Sequence, residues 1–273
     1  MPEHKYALGV IGTGHIATVM IRRLLDNDYL TGDRIIVSGS RTLKSHPMDV
    51  VIAEDNREVV SSARIVMLSV TPQTFPEAAA SIRSETHGDH IFLSIMAGVS
   101  TGRVEQALGT GPIRVIRAMP NLPFGLGRGV TGLCRGTHAA IDDLEEVRHL
   151  LSAGGATVPI DDERLMDAVT AVAGSGPAYF YYFVEMLMAG GVAAGLKPED
   201  AQQLAAHACV GAGAMLLQEG ASPGELREAV TSPGGTTQAA MDKLTECKVA
   251  EHVTEAVLAA FRRGQELGRL NSA

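Results

Sequence analysis

Ala7-Leu8-Gly9-Val10-Ile11-Gly12-Thr13-Gly14-His15-Ile16-Ala17 is the stretch on which the reading of this chain turns. A short apolar run ends in G-x-G-x-x-A, and a helix-like segment, His15–Asp26, follows at once. The first glycine suits a tight turn, the second lets backbone approach a pyrophosphate, and Ala17 lets helix pack on strand. The helix start then offers unpaired N–H groups and a partial positive charge to phosphates. A glycine motif on this pair of elements predicts dinucleotide binding in preference to a bare strand-to-helix turn.

Outward from that loop, further apolar runs appear at Arg34–Val37, Val50–Ile52, Ile65–Leu68, Ile91–Ile95 and Ile113–Ile116. Their nearly continuous apolar character is that of strands buried on both faces of a parallel sheet. Helix-like stretches such as Phe75–Arg83 and Thr101–Leu108 alternate with them, which implies right-handed crossovers. The spacer Thr42–Asp49 is short, so the usual helix there is expected to shrink to a loop. From Asp161 onward strand signals vanish, and helix punctuation recurs at Gly174-Ser175-Gly176-Pro177, Lys197-Pro198, Ser222-Pro223 and Ser232-Pro233-Gly234-Gly235. The expected fold is therefore an α/β, Rossmann-type, doubly wound parallel sheet over residues 1–160. An all-α C-terminal dimerisation domain of five to six helices follows over 161–273. Tyr179–Leu196 and Ala201–Leu217 are apolar or small on nearly every face. A small domain has too little interior to cover both, so a second subunit is expected to do so.

Of 273 residues, 45% are hydrophobic and 20% charged, which excludes disorder and coiled coil. The net charge of −8, with no Lys/Arg cluster, argues against nucleic acid and anionic membrane as partners. No apolar stretch reaches the ~18–20 residues of a membrane span, and Ala7–Ile21 lacks the pattern of a signal peptide. Cys134, Cys209 and Cys247 are odd in number and far apart, which fits a reducing compartment; a cytoplasmic protein is expected.

An NAD-specific site carries a carboxylate at the end of the second strand, whereas this chain reads Ser38-Gly39-Ser40-Arg41-Thr42. Hydroxyls and an arginine suit a 2′-phosphate, so NADPH is expected, with NADH the alternative. The other strand ends, Val70-Thr71-Pro72, Met96-Ala97-Gly98 and Met119-Pro120-Asn121-Leu122-Pro123, complete the cleft. His87 and His90 read as two solvated loop histidines, and no metal site is expected. In the helical half, Ser232-Pro233-Gly234-Gly235-Thr236-Thr237 reads either as a backbone N–H nest for a small carboxylate or as a plain turn with a threonine cap.

These motifs together resemble the pyrroline-5-carboxylate reductase family over essentially the whole chain. They comprise the glycine loop, M-P-N-x-P at 119–123, D-A-V-T-A at 167–171 followed by G-S-G-P-A-Y to Tyr179, and V-T-S-P-G-G-T-T at 230–237. The resemblance implies reduction of (S)-1-pyrroline-5-carboxylate to L-proline, and C-terminal helices that interlock in a dimer able to build a decameric ring. It implies that Gly12, Gly14, Ile16 and Ala17, with Ile11 and His15 beside them, hold the pyrophosphate. Ser38, Ser40 and Arg41 would read the adenosine phosphate, with Asn56 on the adenosine side. Val70, Thr71, Pro72, Ala97, Gly98 and Asn121 would line the nicotinamide route. Glu163, Ser232, Gly235, Thr236 and Thr237 would bind substrate, with Thr237 and Ser232 placed at the chemistry. The chain departs from the family pattern at Thr71 (a lysine), Leu122 (a threonine), Arg128 (a glutamate) and Ala173 (a serine).

Three rivals share the layout. A β-hydroxyacid dehydrogenase predicts a lysine or similar acid on the first helix of the second domain, and the absence of lysine from residues 161–196 counts against it. An imine reductase for another cyclic imino acid fits the departures at Leu122 and Ala173. A non-catalytic NADP sensor would have no use for the intact S-P-G-G-T-T segment.

Overall fold

The structure is a computed structural model and describes residues 4–39, 48–86 and 89–272. Its first part runs β1 Tyr6–Ile11, α1 His15–Asp26, β2 Ile35–Ser38, β3 Val51–Ile52, α2 Asn56–Ser62, β4 Ala63–Leu68, α3 Phe75–Ile82, β5 Ile91–Ser94, α4 Thr101–Leu108, β6 Arg114–Met119, β7 Gly129–Arg135, α5 Ile141–Leu151 and β8 Gly155–Pro159. These strands form one sheet in the order β3-β2-β1-β4-β5-β6-β7-β8. The first six are parallel; β7 runs antiparallel to β6, and β8 parallel to β7. The order reverses beside β1, which places a crevice at the carboxyl ends of β1 and β4.

Burial on both faces follows from side-chain alternation along each strand. Leu8 and Val10, with Ile35, Val37, Ile65 and Met67, pack against Met20, Ile21 and Leu24 of α1 and Val147 and Leu151 of α5. Ile11, Ile36, Val66, Leu68 and Phe92 face the other way, against Val59 of α2, Phe75, Ala79 and Ile82 of α3 and Val104 of α4. Gly9 lies where α2 comes closest, since a Cβ there would stand 2.6 Å from Val59 Cγ1. The start of α2 is fixed by Asp55, whose carboxylate accepts from the N–H groups of Arg57 and Glu58.

All six expected strands are present, and β7 and β8 add two that the sequence reading did not contain. Neither carries the apolar run that marks the others. β7 has Gly132 where Val169 leaves no room for a side chain, and β8 is an edge strand with exposed positions. Of the spacer Thr42–Asp49, where a loop is expected in place of a helix, residues 42–47 lie outside the described residues.

The helical part contains α6 Met166–Val169, a π-helical turn Thr170–Gly174, then α7 Gly176–Ala193, α8 Pro198–Leu216, α9 Pro223–Ala229, α10 Thr236–Glu246 and α11 Val249–Ser272. Six helices among the described residues agree with the expected five to six. Compact units, however, divide at Ser175–Gly176, and the first unit takes in the chain from Ala260 onward. The expected division at 160/161 marked where strands end. Contacts continue further because Met166 is fully buried against Met119 and Cys134. In the second unit α7 and α8 leave Phe180, Tyr181, Tyr182, Leu187, Leu204 and Val210 more than half exposed in the single chain. Among the described residues no helix is long and apolar enough to cross a membrane.

Candidate functional site

At the β1–α1 turn Gly12 adopts φ +92°, and a Cβ on it would lie 2.8 Å from the Ser69 carbonyl oxygen. Its N–H donates to the Ser38 carbonyl at 2.9 Å, while the Ser69 N–H donates to Ile11 O at 2.9 Å. The loop is thus tied to the ends of β2 and β4 on either side. Gly14 is the N-cap of α1, no side chain caps the helix, and its first turn holds no acidic residue. Gly14 and His15 are exposed, whereas Ala17 is fully buried against the sheet. A glycine cradle under an uncapped helix N-terminus fits the pyrophosphate of a dinucleotide.

At the end of β2, Ser38 is buried and its hydroxyl donates to Asn56 Oδ1 at 2.6 Å; Asn56 Nδ2 donates to Ser81 Oγ at 3.2 Å. These two expected adenosine-side residues therefore hold each other, joining β2 to α2. Ser40 and Arg41, the proposed readers of the 2′-phosphate, lie outside the described residues.

After β4, the Thr71 carbonyl accepts from the N–H groups of Thr74 and Phe75, each at 3.0 Å, and this turn opens α3. Thr71 is exposed there, with Val70 and Pro72 half-buried. After β5, Ala97 is exposed and Gly98 takes φ +69°. After β6, Asn121 is 7% exposed. Its Nδ2 donates to Ala173 O at 3.0 Å and its Oδ1 accepts from the Val130 N–H at 3.0 Å. Both ends of that amide are taken up in joining β6, β7 and the π-helical turn.

Glu163 accepts from the Thr101 N–H at 2.7 Å, the Thr101 hydroxyl at 2.6 Å and Arg117 Nη1 at 3.2 Å. Arg117 Nη2 donates to Asp167 Oδ1 at 3.4 Å, and the arginine side chain is only 6% exposed. The sequence reading missed Arg117 and Thr101. The signal was present: an arginine inside the strand Arg114–Met119 must find a carboxylate when buried. Cys134, in the same neighbourhood, has its thiol pushed up to about 11, first by burial and then by the Glu163 carboxylate.

His90 corrects an expectation. It is 1% exposed, with ring nitrogens 3.2 Å from the carbonyl oxygens of Ala63 and Glu85. It precedes β5 at the amino end of the sheet and packs among backbone, so it is not a solvated loop residue. His87 lies outside the described residues. His4, Asp89 and His90 each bring a ligand-type atom within 4.8 Å of the others, away from the crevice.

In the second unit, Gly234 takes φ +72° and the Gly235 N–H donates to Ser232 O at 3.0 Å, forming the bend that opens α10. Gly235 is the N-cap, no side chain caps the helix, and the first turn has no acidic residue. A Cβ at Gly235 would stand 2.5 Å from Ser232 Oγ and 3.1 Å from the Ser232 carbonyl oxygen. Thr237 does not cap the helix, so the threonine-cap alternative is not the arrangement seen. Ser232, Gly235, Thr236 and Thr237 lie together on a bend whose amides suit an anion.

Comparison with known proteins gives two family matches. Residues 163–267 match the family described as pyrroline-5-carboxylate reductase dimerisation, and residues 7–98 that described as NADP oxidoreductase, coenzyme F420-dependent. A pyrroline-5-carboxylate reductase of Synechocystis is 36% identical over 266 residues, covering 96% of this chain and 98% of that protein. The structure of a pyrroline-5-carboxylate reductase from Coxiella burnetii superposes with TM-score 0.88 at 29% identity, covering 97% of this chain and 99% of that one. A Plasmodium falciparum pyrroline carboxylate reductase with NADP bound shares the fold, with TM-score 0.87 at 24% identity and coverage of 97% and 100%.

Proposed function

This chain belongs to the pyrroline-5-carboxylate reductase family, and from that premise we propose that it reduces (S)-1-pyrroline-5-carboxylate to L-proline with NADPH, the closing step of proline biosynthesis. The observation that carries the reading is the Ser232–Thr237 bend, an uncapped helix start with no acidic residue beside it. It offers backbone amides to a carboxylate and two threonine hydroxyls to a neighbouring ring nitrogen.

When bound, NADPH supplies the hydride that reduces the C=N carbon. The Gly12–Ala17 turn holds the pyrophosphate, and Ser38, Ser40, Arg41 and Asn56 read the adenosine end. Val70, Thr71, Pro72, Ala97, Gly98 and Asn121 shape the nicotinamide side. An imine protonates far more readily than a ketone, so the electrophile arrives already cationic. A strong protein acid is then unnecessary, and none stands on the bend. The amides of Thr236 and Thr237 and the hydroxyl of Ser232 hold the carboxylate, while the Thr237 hydroxyl orients the ring nitrogen. Orientation contributes several kcal/mol, within the ~7–11 kcal/mol available to such effects.

The chain works as a homo-oligomer, in keeping with its dimerisation-family match and the exposed apolar faces of α7 and α8. Dimers are proposed to assemble further into a ring of five. A cytoplasmic location accords with the free thiols of Cys134, Cys209 and Cys247.

The test is consumption of NADPH with pyrroline and piperideine carboxylates, read by nucleotide fluorescence. The pyrroline acid should be the preferred substrate and proline the product. Preference for the six-membered ring would assign the chain to another cyclic imino acid, through Leu122 and Ala173. Thr237→Ala should lower turnover at least about tenfold, the scale of a lost transition-state contact, with NADPH affinity kept. Unchanged turnover would remove Thr237 from the mechanism.

A further inference from the structure

The turn after β5 has a neighbour that the mechanism above does not use, the last turns of α11. A methyl on Gly98 would lie 3.1 Å from the Gly268 nitrogen and 3.4 Å from its Cα. From the helix side, a Cβ at Gly268 would come within 3.6 Å of the Gly98 carbonyl, and one at Gly264 within 3.3 Å of Asp167 Cβ. Gly264 and Gly268 are four residues apart, so they open one groove along one helix face. Ala260, Phe261, Gly264, Leu267 and Gly268 on that face are half-buried, while Arg262, Arg263, Gln265, Glu266 and Arg269 are exposed.

Two glycines inside a helix each cost about 1 kcal/mol relative to alanine, and neither ends this one, which continues to Ser272. Close packing accounts for Gly264, where a Cβ would crowd that of Asp167, whereas at Gly268 a Cβ would meet the Gly98 carbonyl at an ordinary contact distance and only a longer side chain would press on the turn. The segment they touch is held at its other end as well, since Glu163 binds Thr101, three residues beyond Gly98. Asp167, against which Gly264 packs, shares Arg117 with Glu163.

We propose that Gly264 and Gly268 make the end of α11 a positioning element for the cofactor pocket, seating the Ala97–Gly98 turn at the height the nicotinamide requires. This rests on the reading that Ala97 and Gly98 line the nicotinamide side. The helix touches the turn, and only the turn touches cofactor.

Gly268→Leu tests it. Leucine raises helix propensity, so a loss cannot come from the helix itself. The Cβ position lies 3.6 Å from the Gly98 carbonyl oxygen, so the longer side chain is expected to press on that turn. The expected result is a dissociation constant for NADPH raised at least about fivefold, the lower range of coupling between sites. kcat should fall and the KM for the imino acid should hold. Gln265→Leu, the same change on the exposed face, should stay within about twofold of wild type. In the unaltered protein, NADPH should slow hydrogen–deuterium exchange over residues 262–270 as well as 96–101, because coupling is reciprocal. Wild-type affinity in Gly268→Leu, or no protection of 262–270, overturns the proposal; the exchange result decides if the variant does not fold. Both readouts use cofactor binding alone. A wild-type chain that binds NADPH but leaves the imino acid unreduced would refute the reaction and not this inference.

Discussion

Replacing Glu163 by glutamine separates two roles for that residue. The sequence reading placed Glu163 near substrate, whereas its carboxylate oxygens receive Thr101 N–H at 2.7 Å, Thr101 Oγ1 at 2.6 Å and Arg117 Nη1 at 3.2 Å. A glutamine keeps both Thr101 contacts, accepting the N–H on its oxygen and donating from its amide to the hydroxyl. What it loses is charge opposite Arg117, whose side chain is 6% exposed and would be left with Asp167 alone. A hydrogen bond to a charged group contributes about 1.5–3 kcal/mol, and removing one partner of a buried ion pair outright costs about 3–5 kcal/mol. Because Asp167 remains, the expected loss is about 2 kcal/mol, or roughly 4–8 °C in Tm for a chain of this size. Thermal unfolding followed by circular dichroism reads the loss, and a cycle with Arg117→Met should show coupling of about 1 kcal/mol or more. KM for the imino acid should change little. Full stability with a KM raised about tenfold, the cost of 1.4 kcal/mol in binding, would refute the reasoning and put the carboxylate on substrate.

Gly12→Ala forces a Cβ to within 2.8 Å of Ser69 O at φ +92° and must push the β4 loop that leads to Val70. Strain of about 1–2 kcal/mol and weakening of NADPH binding by at least about tenfold are expected by fluorescence titration. Asp55→Ala removes the cap of α2 and should cost about 1 kcal/mol at neutral pH in urea unfolding. The N–H of Glu58, then the Arg57 side chain, hold the Asp55 carboxyl below its usual range. Its contribution is therefore complete above the unfolded value of about 3.9, so the gap between variant and wild type should close as pH falls below that. With a thiol reagent at pH 8, exposed Cys247 should react fast, and Cys134, buried with its thiol up to about 11, only after unfolding.

Six strands and the glycine loop were legible because burial on both faces leaves an unbroken apolar run. β7 and β8 carried no such mark: Gly129, Gly132 and an exposed edge interrupt the pattern, and their place is set by neighbours distant in sequence. The residues gathered at the crevice followed from the rule that parallel strands present their carboxyl ends to ligand. Their hydrogen bonding did not follow. Asn121 bridges β6, β7 and the π-helical turn, and Ser38 pairs with Asn56, because each is buried and must satisfy its polar atoms locally. His90 looked like a surface residue because a histidine next to a loop gives no local signal of burial. The half-buried stripe of α11 is visible as spacing in the sequence, but what it packs against is a matter of tertiary contact alone.

The most direct test of the whole account is the structure of this protein with NADP and proline bound. Proline's carboxylate should lie within hydrogen-bonding distance of the amides of Thr236 and Thr237, with its ring nitrogen at the Thr237 hydroxyl. A proline found elsewhere, with the bend at 232–237 empty, would contradict the account.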